Sequence, residues 1–258
     1  MVPGVPGVPG VPEVRRRFTR FQGFGAAAIL LTASITAGAQ DNTWVMCDAI
    51  SPGRNLEASI AACTAVINAR PESLVRLALA YLNRANGYQF KDENDKAIAD
   101  YNQSIRLNAG DARAFYSRGN AYSNKADHER AIADFSQAIA LNPDYPSAFN
   151  SRCYEQAILG RTDKALTDCN TSLRLRPGDA PTLDSRAFTY LKMRQWDKAV
   201  ADYDAVLRIN PTQASSLFGR GVARLRQGNT TSGNADLAAA KAVQAGIAAE
   251  MAALGITP

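Results

Sequence analysis

The stretch AIADFSQAIALNPDYPSAFNSRCYEQ, residues 131–156, decides the architecture, because the chain repeats it in register. AIADYNQSIRLNAGDARAFYSRGNAY begins at Ala97, ALTDCNTSLRLRPGDAPTLDSRAFTY at Ala165 and AVADYDAVLRINPTQASSLFGRGVAR at Ala199. The step is 34 residues each time, with no insertion. Such a period marks an array of supersecondary units that bury their apolar faces only by stacking. Working outward gives blocks 78–111, 112–145, 146–179, 180–213 and 214–247. A divergent first block at 40–77 is recognised from SIAACTAVINARP (59–71), which aligns with AIADYNQSIRLNA (97–109) and carries a four-residue insertion, about one helical turn.

Each block reads as two helices. Small Gly119 or Ala85 lets two backbones approach, Ala131 faces it from the second helix, and an aromatic such as Phe135 or Tyr101 fills the space beside them. Pro143, Pro177 and Pro211 lack an N–H and stop the second helix. The pattern resembles the tetratricopeptide repeat family. Block 112–145 matches best, with Phe115, Gly119, Tyr122, Ala131, Phe135, Ala138 and Pro143 on the signature places. Arg118 departs from the usual Leu, and the last block is weakest, with Gly233 where Ala is expected. The resemblance covers about residues 40–247. It implies an all-α, right-handed superhelical solenoid of about six hairpins. AGIAAEMAALGI (245–256) is apolar at helical spacing and adds a C-terminal cap, set at 248–258.

Two charges recur in the same frame. The seventh place of five blocks holds Arg84, Arg118, Arg152, Arg186 and Arg220; the twenty-third holds Asp100, Asp134, Asp168, Asp202 and Asp236. They read either as pairs across the hairpin, or to the stacked neighbour, or as two independent solvated faces; the matched recurrence favours pairing. Half-exposed pairs contribute only about 0–1 kcal/mol each. The first block lacks both charges, with Met46 and Ala62 in their places.

The four cysteines obey the same frame. Cys47 and Cys63, like Cys153 and Cys169, take the eighth and twenty-fourth places of their blocks; elsewhere these hold Gly or Ala and Tyr, Phe or Leu. Both members change together, twice, which reads as two local disulfides, Cys47–Cys63 and Cys153–Cys169, in an exported protein. Four reduced, buried small hydrophobes are the alternative.

Residues 1–39 carry most of the basic excess. Against a formal net charge of +5, they hold Arg15, Arg16, Arg17 and Arg20 with only Glu13, so the remainder is close to neutral and lacks a nucleic-acid footprint. That basic run, the apolar GAAAILLTASI (25–35) and Ala37-Gly38-Ala39 read as a secretory signal cut before Gln40. A twin-arginine route is the second choice. The expected location is periplasmic or secreted, with no membrane span after cleavage. MVPGVPGVPGVPE (1–13) is too rich in Pro and Gly to pack, and a start at Val14 would remove it.

Functional residues follow from the resemblance, which implies that first helices line a concave groove for peptides or helices. The groove places carry Asn86, Tyr116, Asn120, Asn124, Asn150, Tyr154, Phe188 and Phe218, with Trp44, Leu82, Phe90, Leu191 and Val222 continuing the face. Asn amides both donate and accept, which suits a peptide backbone. The places that hold lysine in carboxylate-clamping members are Leu82, Tyr116, Asn150, Asp184 and Phe218, which argues against a clamp. No catalytic, cofactor or metal residues are expected: GxGxxG and GxxxxGK are absent, no CxxC occurs, and His128 is the only histidine. The expectation is a non-catalytic scaffold for a protein or peptide partner. The alternative is a structural subunit that uses its side and end faces.

Overall fold

The structure, a computed structural model, describes residues 42–48, 50–51 and 55–258. The leader, the Val-Pro-Gly run and the cleavage position expected above lie outside the described residues. Among those residues the secondary structure is helical, without strands: α1 (42–48), α2 (Leu56–Asn68), α3 (Leu74–Phe90), α4 (Asn94–Leu107), α5 (Ala112–Asn124), α6 (His128–Leu141), α7 (Pro146–Ile158), α8 (Thr162–Leu175), α9 (Ala180–Lys192), α10 (Trp196–Ile209), α11 (Ala214–Arg226), α12 (Thr230–Val243) and α13 (Ile247–Ala253). No helix among them is long and apolar enough to cross a membrane.

Local sequence sets the helix ends. Asp111, Asp127 and Asp179 accept hydrogen bonds from the backbone N–H groups of Arg113, Arg130 and Thr182 at the starts of α5, α6 and α9. Pro143, Pro177 and Pro211 stand two residues beyond the ends of α6, α8 and α10. In the five blocks from residue 78 on, the fifteenth place turns one helix into the next with a left-handed φ, at Asp92, Ala126, Gly160, Arg194 and Gly228.

Hairpins pack in chain order to form an α-solenoid. Within each, Ala97, Ala131, Ala165 and Ala199 are fully buried on the second helix. Tyr101, Phe135 and Tyr203 wedge between the helices, and a Cβ on Gly119 would come within 2.6 Å of the Phe135 ring. The first helices of successive hairpins touch (α3 with α5, α5 with α7, α7 with α9, α9 with α11), whereas the second helices do not. The first helices therefore line the inner face. The four-residue insertion lengthens α3 by one turn relative to α5, each block keeping its own frame.

The charges form a ladder. Arg84, Arg118, Arg152, Arg186 and Arg220 each make a two-pronged contact, Nε and Nη2 to both carboxylate oxygens of Asp100, Asp134, Asp168, Asp202 and Asp236, at 2.6–2.9 Å. The third nitrogen, Nη1, reaches back to the preceding hairpin: Thr64, Asn102, Ser136, Asn170 and Asp204 accept in turn. The aspartates are buried, not half-exposed, at 4–8 % exposure. Their carboxylates hold Arg84, Arg118, Arg186 and Arg220 above the usual guanidinium pKa.

Cys47 is disulfide-bonded to Cys63 and Cys153 to Cys169, with Cα–Cα separations of 4.6 and 5.5 Å. Each bridge crosses a hairpin where other blocks place the aromatic wedge.

Two measurements test this account. Arg118→Ala leaves Asp134 buried without its cation, and urea unfolding should show a loss of about 3–5 kcal/mol; a loss below 1 kcal/mol would mean the pair is solvated. Cys153→Ser with Cys169→Ser should cost about 3 kcal/mol through the freed loop. Non-reducing peptide mapping of the parent chain should recover both bridges, and four free thiols would contradict them.

Candidate functional site

The inner face divides into two regions. In the last two hairpins it is covered by the chain itself. Helix α13 packs on α11 and α12 with Ile247 and Met251 buried. It ends at Ala253 with Leu254 as its C-cap, Gly255 takes φ +79°, and Ile256 turns in and is buried beside Leu191 and Val222. Lys192 Nζ donates to the Leu254 carbonyl at 2.9 Å, and Arg226 Nη2 to the carbonyls of Thr257 and Pro258 at 3.4 and 3.2 Å. The cap is thus a seven-residue helix at Ile247–Ala253 followed by a turn at Leu254–Gly255 and a short tail over α9 and α11.

Upstream the face is open. A cavity of about 410 Å³ runs from α5 across α7 to α9, lined by Asn120, Asn150, Tyr154, Glu155 and Asp184 among others. Phe135 supplies part of its wall, and Tyr154 packs against Phe188 with ring centroids 5.7 Å apart. Asn150 Oδ1 is buried and accepts no hydrogen bond. Glu155, 2 % exposed, receives the Ser123 hydroxyl and lies 2.6 Å from His128 Nδ1. Asp184 accepts from the Ser216 hydroxyl, and no Lys, Arg or His among the described residues pairs with it. Burial pushes the Asp184 carboxyl above its usual pKa, against the Ser216 hydrogen bond. The Tyr154 phenol is raised in turn, by burial first and then by Glu155 and Asp184. At neutral pH Tyr154 is therefore a donor.

The groove places expected from sequence fall into three groups. Asn120, Asn150 and Tyr154 line the cavity together. Asn86, Tyr116 and Asn124 are engaged elsewhere. Asn86 Oδ1 accepts from the Tyr101 hydroxyl at 2.7 Å, Tyr116 packs between Phe135 and Tyr145, and exposed Asn124 donates to Asn94 at the rim. Phe188 and Phe218 are buried in the core, at 4 and 1 % exposure, with Leu191 and Val222. The cause is the covered end of the face, where bulky apolar side chains pack in the same core cluster as Ile247, Met251 and Ile256. Trp44 stays near the opposite end, with the Arg76 guanidinium 4.6 Å from its ring.

Sequence reasoning missed Glu155 and its two partners, because Ser123 and His128 belong to the preceding block and no motif joins them. It also missed the twenty-fifth place of the ladder, although its signal was present: Thr64, Asn102, Ser136, Asn170 and Asp204 all carry a side-chain oxygen.

Comparisons with known proteins agree with this architecture. Family models of the tetratricopeptide repeat match residues 78–111, 112–145 and 186–253. A search of curated proteins returns no match. Among solved structures, PilW, described as a widely conserved type IV pilus biogenesis factor, aligns with TM-score 0.68 and 21% identity over 79% of this chain and 93% of its own. YrrB, described as a repeat protein with an unusual peptide-binding site, aligns with TM-score 0.57 and 22% identity over 76% of this chain and all of its own. A tetratricopeptide repeat protein from Parabacteroides merdae aligns with TM-score 0.63 and 15% identity over 77% of this chain and 81% of its own. At these identities the likeness carries the fold alone.

Ile256→Ala should free the tail. Limited proteolysis should then cut within residues 247–258 well before the solenoid, and the emptied site should cost about 2 kcal/mol or more of stability; unchanged cleavage would mean that the tail does not rest on α9 and α11.

Proposed function

From the premise that this chain is built of tetratricopeptide repeats, we propose that it is a non-catalytic scaffold whose inner face holds an extended peptide or protein segment in the periplasm or outside the cell. The observation that carries this reading is the tail. After the turn at Leu254–Gly255, residues 256–258 lie over α9 and α11, with main-chain carbonyls of the turn and tail accepting from Lys192 and Arg226 and one apolar side chain, Ile256, buried. The same face continues upstream as an open cavity with amides and an aromatic ring. Asn120 and Asn150 offer both donors and acceptors to a backbone, and Tyr154 offers contact area that loses little entropy on binding. A protein of this fold, YrrB, is described as having a peptide-binding site.

Export is supported by the two disulfides, which persist in oxidising compartments, and by the leader pattern over residues 15–39. A second reading rests on the N-terminal end, where Val45 and Met46 of α1 and Leu74 and Val75 at the start of α3 are exposed. That apolar edge suits a structural subunit docking through its end, with no groove ligand.

Affinity capture from an envelope extract separates the two. Asn120→Ala with Tyr154→Ala should reduce recovery of the captured partner at least tenfold relative to the parent chain. Undiminished recovery would refute groove binding and move the contact to the end face.

A further inference from the structure

The upstream cavity has an uneven chemistry. Its lining includes Asp184, Glu155 and the unsatisfied Asn150 Oδ1, and contains no lysine or arginine. Every ladder aspartate has its own arginine, and Glu155 has His128 and Ser123. Asp184 has a single hydroxyl. A partly buried carboxylate without a cation and a buried amide oxygen without a donor are both left under-satisfied. Both shortfalls occur in one cavity, and both call for a group that brings donors and positive charge.

We infer that this cavity selects a basic side chain, lysine or arginine, of an extended peptide, with Asp184 as its counter-ion and Asn150 Oδ1 as a second acceptor. The inference rests on the groove reading above and adds the charge that the groove recognises. An ammonium group supplies three N–H donors and a guanidinium five, and neither accepts a hydrogen bond. The aliphatic stem would lie along Tyr154, whose ring face attracts a cation. An acidic peptide meets Asp184 and Glu155 with no compensating cation, so the same groups reject it.

The test uses the full chain and four pools of N-acetylated, C-amidated, fluorescently labelled nonapeptides. The pools are randomised among uncharged residues except at the centre, which is fixed as Lys, Arg, Gln or Glu. Fluorescence polarisation should show the Lys and Arg pools binding at least tenfold more tightly than the Gln pool, with the Glu pool weakest. Asp184→Asn should abolish the Lys-over-Gln preference at unchanged helical circular dichroism. Asn150→Lys, which supplies a cation from the protein, should abolish it independently and decides the matter if Asp184→Asn fails to fold. Equal binding of the Lys, Gln and Glu pools would overturn this inference and leave the groove reading standing. No binding by any pool would overturn both. A Lys preference that survives the variants would place the selecting charge elsewhere and also overturn the inference.

Discussion

The solenoid depends on one geometric fact: a guanidinium has more donors than a single carboxylate can take. Nε and Nη2 satisfy the aspartate of the same hairpin, and Nη1 is left pointing at the hairpin before. The arginine therefore reports on two events at once, closure of its own hairpin and arrival of its neighbour. Lysine could not replace it, since an ammonium presents no flat fork. Because the aspartates are buried, an incomplete rung leaves a desolvated charge, so rungs discriminate against misregistered stacking more than they add to net stability.

The ladder also explains where the chain tolerates change. The contact of Arg84 with Thr64 spans 20 residues, whereas its equivalents span 16. The four extra residues are taken up by the added turn of α3, and the rung closes regardless. Among the described residues no hairpin stands before the first, which offers an acceptor but no arginine. It keeps Thr64 and places exposed Met46 at the arginine position. Its closure is carried instead by the Cys47–Cys63 bridge.

Much of this was legible in the sequence. The 34-residue period indicated the hairpins, their stacking order and an arginine–aspartate pairing, with the choice between the same hairpin and the stacked neighbour left open, because a repeat frame converts sequence position into spatial position. What stayed hidden lay outside the frame. The cap was visible as an apolar helical pattern, but nothing periodic indicated that residues 254–258 would continue past it and lie on the inner face. At that end Phe188 and Phe218 lie in the core cluster that also holds Ile247, Met251 and Ile256. Asn86 and Tyr116 illustrate another limit. Their places face inward, yet the Tyr101 hydroxyl and the Phe135 and Tyr145 rings claim them, and such competition among neighbours depends on side-chain reach rather than spacing.

The division of the inner face into a covered end and an open window follows from composition along it. From α9 onward the inward places turn apolar (Phe188, Leu191, Phe218, Val222), and an apolar surface of that extent requires cover. The chain provides it with Ile247, Met251 and Ile256. Upstream the inward places mix amides and hydroxyls with the Tyr116 and Tyr154 rings, and leave Asp184 and Asn150 Oδ1 short of donors. Asp184 stands on α9, at the boundary between the two. One side of it is closed by Ser216 from α11, and the other faces the cavity. A carboxylate so placed is buried enough to discriminate charge and open enough to be reached, a combination that the five ladder aspartates, each already held by an arginine, cannot offer.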